Sequence, residues 1–180
     1  MNFKKLKSTF SKEKKIIWVN TTKNLIYVGT EHYVIEFPQI FKKELFSVLG
    51  VGGCEIDCFR IDVKNGDVEK IAPFQTVIDL FQKDINLSPT EKTDILINTP
   101  HLKNVQIFSA EKDLITFQEI YIDMAFHFLQ KDYKCFINKK NKYLYVKTQD
   151  ICIMILPIRL SEIKKSVSKY FSTEYRFVPE

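Results

Sequence analysis

The chain has 180 residues, 45% of them hydrophobic and 13% aromatic, and a formal net charge of +5. That apolar content excludes a disordered or fibrous chain, and the length suits one large domain or two small packed ones. Fifteen Phe and eight Tyr against five Gly favour extended, aromatic-rich packing, while the mild positive charge permits a nucleic-acid or acidic partner without requiring one.

Residues 1–15 read as a basic lead (Lys4, Lys5, Lys7, Lys12, Lys14, Lys15), followed by β-forming residues at 16–19. The polar stretch 20–24 is a hairpin turn, 25–28 is the return strand, and 33–37 is a third strand. Pro38 opens an amphipathic helix with Phe41, Leu45, Val48 and Leu49 on one face and Lys42 and Lys43 off it; Gly50, Gly52 and Gly53 end it. Residues 55–63 form a strand that a type I′ turn at Asn65-Gly66 returns into 68–71. Pro73 precedes a second helix aligning Phe74, Val77, Ile78 and Phe81. The chain loops around Ser88-Pro89, and strands at 95–97 and 105–108 flank a turn at Thr99-Pro100. A strand at 114–117 leads into the most apolar helix, 118–131, with Ile120, Tyr121, Met124 and Phe128 on one face. Strands at 135–138, 143–147 and 151–156 close the pattern. Ser161 then caps a last helix with Ile163, Val167, Tyr170 and Phe171 on its apolar face.

This order predicts an α+β fold of antiparallel strand meanders, each followed by an amphipathic helix, in about four units. After the lead, 16–180 form a single domain or two packed subdomains at about 16–86 and 87–180. The segments after Asn20 and Asn138 align at a displacement of 118 (138 − 20), which superposes Tyr27 on Tyr145, Val28 on Val146, Thr30 on Thr148 and Ile35 on Ile153. With one inserted residue Pro38 meets Pro157. Duplication and convergent composition both account for the match.

Templates for catalysis are missing: there is no G-x-S-x-G, Walker loop, G-x-G-x-x-G or H-E-x-x-H. His32, His101 and His127 have no nucleophile or acid at triad spacing. Cys54 and Cys58 share a strand face and lack the second pair of a zinc site, as Cys135 and Cys152 do not form one. The acidic residues about the Asn65-Gly66 turn (Glu55, Asp57, Asp62, Asp67) read as a solvated face. The expectation is a non-enzyme with no cofactor and no metal, whose four thiols are reduced and buried. No window has the length of a membrane span, and no apolar segment follows the lead as in a secretory signal, so the cytoplasm is the expected compartment. Clusters of lysine carry the remaining chemistry. Lys139, Lys140 and Lys142 crowd one hairpin, Lys164, Lys165 and Lys169 share the polar side of the last helix, and Lys42 and Lys43 that of the first. Such groups neutralise phosphates in a salt-dependent, sequence-independent way.

The run Ile153-Met154-Ile155-Leu156-Pro157-Ile158-Arg159-Leu160 resembles the closing strand of bacterial DNA sliding clamps, which ends in a Met-Pro-Met/Ile-Arg-Leu run. Residues 115–129 followed by 135–155 are similar to that family's order of strand, helix and strands before the closing peptide. The resemblance implies a clamp-like, DNA-associated factor of phage or mobile-element type that forms a homo-oligomer. It also implies a protein-partner site at Pro157, Ile158, Arg159 and Leu160. The chain departs from the family in lacking an Asp-Gly pair at 28–33 and in having basic faces on two of four helices. Residues 77–81 look like the peptide that clamp partners insert. The alternative is a small protein-interaction module (an inhibitor, immunity protein or adaptor) with no nucleic-acid role.

Overall fold

A computed structural model describes residues 1–12, 16–53, 55–82, 86–99, 103–111, 113–158 and 176–177. It is an α+β fold in which strands dominate. The first element is helix α1 (Phe3–Phe10), inside the segment expected to be only a basic lead. Asn2 caps it, its side-chain oxygen accepting from the Lys5 N–H at 3.2 Å, and Leu6 and Phe10 point inward one turn apart. Strands β1 (Ile16–Thr21), β2 (Leu25–Gly29) and β3 (Tyr33–Pro38) form the first meander. A 3₁₀ turn over Gln39–Phe41 separates it from α2 (Lys42–Leu49), so this helix begins one turn later than Pro38 suggests. Gly50 ends α2 at φ 75, and the Val51 N–H bonds back to the Phe46 carbonyl at 3.0 Å.

Strands β4 (Cys58–Asp62) and β5 (Val68–Lys70) continue the sheet beyond β1. Their connection is not the expected type I′ turn, which needs φ > 0 at both Asn65 and Gly66. Of the two, only Gly66 has positive φ (75), and its N–H reaches back to the Asp62 carbonyl at 2.8 Å. Helix α3 (Gln75–Gln82) follows. The expected loop at Ser88-Pro89 is instead a short strand, β6 (Leu87–Pro89), paired with β10; Pro89 is tolerated because β6 is an outer strand with only one ladder to serve. Strands β7 (Glu91–Thr99), β8 (Lys103–Ala110) and β9 (Asp113–Gln118) form a second sheet, and α4 (Glu119–Leu129) leads from it into β10 (Lys134–Asn138), β11 (Leu144–Lys147) and β12 (Cys152–Ile155). A two-residue strand β13 (Arg176–Phe177) runs parallel to β9. The expected helix after Ser161 lies outside the described residues, as do Cys54, His101 and Pro100.

The nine-stranded sheet has the order β5-β4-β1-β2-β3-β12-β11-β10-β6, and the smaller one β13-β9-β8-β7. Strands from both 16–86 and 87–180 therefore share one sheet, joined by the antiparallel β3–β12 ladder. Two meanders lie side by side across this seam. Ile35 pairs with Ile153, Val34 with Met154 and Glu36 with Cys152. A displacement of 118 (153 − 35) maps the last two pairs onto each other, which places a local two-fold axis through Ile35 and Ile153. The β2–β3 pairs Tyr27 with Glu36 and Val28 with Ile35 recur as Tyr145 with Met154 and Val146 with Ile153. The outer strands do not follow that displacement. Val19 pairs with Val28, but Cys135 pairs with Val146, because the β10–β11 loop is two residues longer. Asn20 and Asn138 are thus not equivalent, although their sequence contexts align. A helix precedes each meander, α1 before β1 and α4 before β10, and these two helices touch: the Asn2 N–H donates to the Phe128 carbonyl at 2.8 Å.

One face of the large sheet packs on α1, α2 and α4 and, through Phe108, Ala110, Ile115 and Phe117, on the small sheet. Its centre is aromatic: the Phe3 ring lies 5.5 Å from Phe128, and Phe37 lies 5.9 Å from Phe128. The opposite face carries a smaller cluster under α3. In the small sheet, β7 bulges between Lys92 and Leu96. The buried Gln106 amide fills the bulge by donating to the carbonyls of Thr93 (2.6 Å) and Ile95 (3.1 Å), groups the ladder leaves over.

Candidate nucleic-acid and partner interface

The three lysines expected to form a phosphate-binding hairpin have different roles. Lys139 bonds Glu111 at 2.8 Å and Lys142 bonds Asp113 at 2.7 Å. Glu111 and Asp113 flank the β8–β9 turn, so these two lysines fasten the β10–β11 hairpin to the small sheet. The Asp113–Lys142 pair is largely sheltered, at 17% and 22% side-chain exposure. Glu111 and Lys142 both sit in left-handed backbone, with φ 56 and 59, each the outcome of a tight turn. The Lys139 and Ser88 bonds hold the Glu111 carboxyl below the ordinary carboxylate range. Lys140 remains exposed and has no ion-pair partner among the described residues.

Lys42 and Lys43 stand at the start of α2, Lys42 with its ammonium 5.2 Å from the Phe46 ring centre. The structure brings them to a neighbour that the sequence pattern does not point to. Helix α1 packs against α2, its Phe3 ring 6.2 Å from Phe41, and it carries Lys4, Lys5 and Lys7, with Lys12 just beyond its end. Lys4, Lys7, Lys12 and Lys43 are exposed, and among the described residues none of the six lysines is ion-paired. Glu44 is the one acid on either helix. The signal for α1 is Leu6 and Phe10 four apart between outward lysines, but it is confined to one short stretch rich in lysine.

Helix α4 presents different chemistry: Glu119 accepts from the Asn104 amide at 2.8 Å, Ile120 is 42% exposed, and His127 is exposed with its Nδ1 2.8 Å from the Asp123 carbonyl. At its end a shallow depression of about 800 Å³ opens between Asn2, His127, Gln130, Lys131 and Tyr133.

The closing segment runs from the large sheet to the small one. The Leu156 N–H donates to the His32 carbonyl at 2.9 Å, the Ile158 N–H donates to the Thr116 carbonyl at 2.9 Å, and the Thr116 hydroxyl donates to the Ile158 carbonyl at 2.9 Å. Pro157 and Ile158 are half-buried along β9. Arg159, Leu160, Lys164, Lys165 and Lys169 lie outside the described residues.

Burial pushes the thiols of Cys135 up to about 11 and Cys152 up to about 12, and it also raises Cys58, whose Sγ donates to the Asn20 side-chain oxygen at 2.9 Å. Among the described residues these three cysteines are free, and no cluster of three His, Cys, Asp or Glu is placed to hold a metal ion. No helix among the described residues is long and apolar enough to cross a membrane. No family model and no curated protein matches the chain. A lysine face on two adjoining helices suits an extended polyanion, since it has many cations and little acid to compete for them.

Proposed function

We propose that this chain is a non-enzymatic, sliding-clamp-like protein of phage or mobile-element type that associates with DNA in the cytoplasm as a homo-oligomer. The observation that carries the reading is the pair of helix-then-meander halves about the β3–β12 seam, the second preceded by β9. Strand, helix, three strands and then the segment 156–158 is the order that the resemblance to sliding clamps leads one to expect. An internal duplication is part of the same proposal, supported by the shared β2–β3 and β11–β12 register. DNA would meet the lysines of α1 and α2, which contact phosphates and carry no sequence preference.

The test is binding of a random-sequence duplex across a salt series, together with light scattering. Wild type should bind with affinity falling steeply as salt rises, and Lys4→Ala/Lys7→Ala/Lys43→Ala should make the logarithmic slope shallower by roughly 0.9 for each phosphate no longer neutralised. Lys139→Ala should leave the slope unchanged. A strict monomer that ignores DNA at low salt would overturn the proposal. The exposed Ile120 between Glu119 and Asp123, with Ile40 80% exposed, favours the second reading, a protein-interaction module. That reading expects recovery of a protein partner and no salt-sensitive DNA binding.

A further inference from the structure

The second face of the large sheet carries a floor of five buried side chains. Tyr27 and Val34 come from the first meander, and Tyr145, Cys152 and Met154 from the second. Its cover is α3, eight residues long. Phe81 lies 5.5 Å from Tyr27 and 6.2 Å from Tyr145, Ile78 is buried, and Val77 and Leu80 are half-buried. Before the helix, Phe74 packs on Trp18 at 5.2 Å yet is still 40% exposed. Phe74, Val77, Ile78 and Phe81 fall at i, i+3, i+4 and i+7, the anchor spacing with which an amphipathic helix is recognised in a groove.

Like α1 and α2, α3 has eight residues, a length that does not hold itself in water, so its conformation depends on what it docks on. Its backbone makes no broad contact with any element, whereas α1 packs against both α2 and α4. The Tyr145 hydroxyl of the sheet donates to the Leu80 carbonyl of α3 at 3.2 Å. The residues leading into it, 72–74, are exposed, and β5 before them is exposed throughout. The floor is the more permanent partner. It spans the seam and belongs to strands paired on both sides, and bare it would be a contiguous aromatic patch of the kind that soluble monomers do not leave open.

We propose that α3 is a self-docked helix filling, in cis, a groove that also accepts a short amphipathic helix of a partner protein with the same anchor spacing. The two occupants exclude each other, so α3 sets the threshold that a partner must exceed. The proposal does not rest on the DNA reading.

The probe is a fluorescein-labelled peptide of residues 73–83, titrated into full-length protein and into Ile78→Ala/Phe81→Ala, which weakens the cis occupant and leaves the floor intact. The variant should bind the peptide at least about ten times more tightly than wild type, corresponding to about 1.4 kcal/mol. Trp18, the sole tryptophan, should report the exchange by its emission. Adding Met154→Arg should abolish binding. In wild type, α3 amides should exchange hydrogen at least about ten times faster than those of β11 and β12. A folded variant that does not bind the peptide, or α3 protection equal to that of the strands, would overturn the proposal. So would a variant that cannot fold, since α3 would then be integral to the fold. A variant that dimerises without peptide would assign the groove to a second copy and overturn the partner reading.

Discussion

Gly29 is glycine because the Trp18 indole lies where its side chain would stand; an added Cβ collides with the ring. Gly29→Ala should therefore push Trp18 off β2 and away from Phe74, destabilising by about 1–3 kcal/mol with a shift in tryptophan emission. Urea unfolding followed by fluorescence measures both. Glu36 is a second residue with a conflict. Burial raises its carboxyl above the ordinary 4.5, opposed by a Tyr27 hydrogen bond and by Lys147. The folded state then binds more protons than the unfolded one, so the group's favourable contribution is complete below 4.5 and is lost as pH rises through the folded value. Glu36→Gln should consequently raise stability at neutral pH and give no gain at acid pH, as paired urea titrations would show. Neither conflict is legible in the sequence. Glu36 looks like any polar residue on an alternating strand, and its neighbours across the seam are more than a hundred positions away.

At the scale of elements, periodicity locates the long amphipathic pieces, and its failures have definite causes. Helix α1 is eight residues in a lysine-rich stretch, and its stability comes from Leu6, Phe10 and Phe3 docking on distant aromatic rings. Leu6→Ala should cost about 2–4 kcal/mol, because the side chain is fully buried and its removal leaves a cavity. A basic tail would show no change in a thermal melt. Strand β6 escapes a reading of the sequence because Pro89 argues against a strand, and only its place at the edge of the sheet removes that objection. The type I′ expectation at Asn65-Gly66 correctly locates the reversal but misses its length, which the Asp62–Asp67 pairing sets.

For the molecule as a whole, the decisive contacts join the two sheets. Asp113–Lys142 and Glu111–Lys139 tie the tips of two hairpins together. Lys142→Ala should destabilise by about 1–3 kcal/mol, since it removes a largely sheltered ion pair, whereas Lys139→Ala should change little. Chemical denaturation at low and high salt would separate them, the Lys142 effect surviving salt better. Lowering the pH should weaken the same junction. Glu111 has a folded value below its ordinary one, so its contribution is present above that ordinary value and is lost as pH falls through the folded one. Lys139 and Lys142 are legible as a basic cluster, but their use in binding carboxylates is not, because Glu111 and Asp113 reach them only through the docking of the small sheet.

The sequence by itself determined the α+β class, most of the strands and the three described helices from α2 onward. These follow from local periodicity and turn chemistry, which act over a few residues. The tertiary structure decided which lysines face solvent, where α1 docks, how the seam at Ile35 and Ile153 joins the meanders, and what lies beneath α3. Those depend on which distant apolar faces bury each other, and composition along a single strand or helix does not encode that choice.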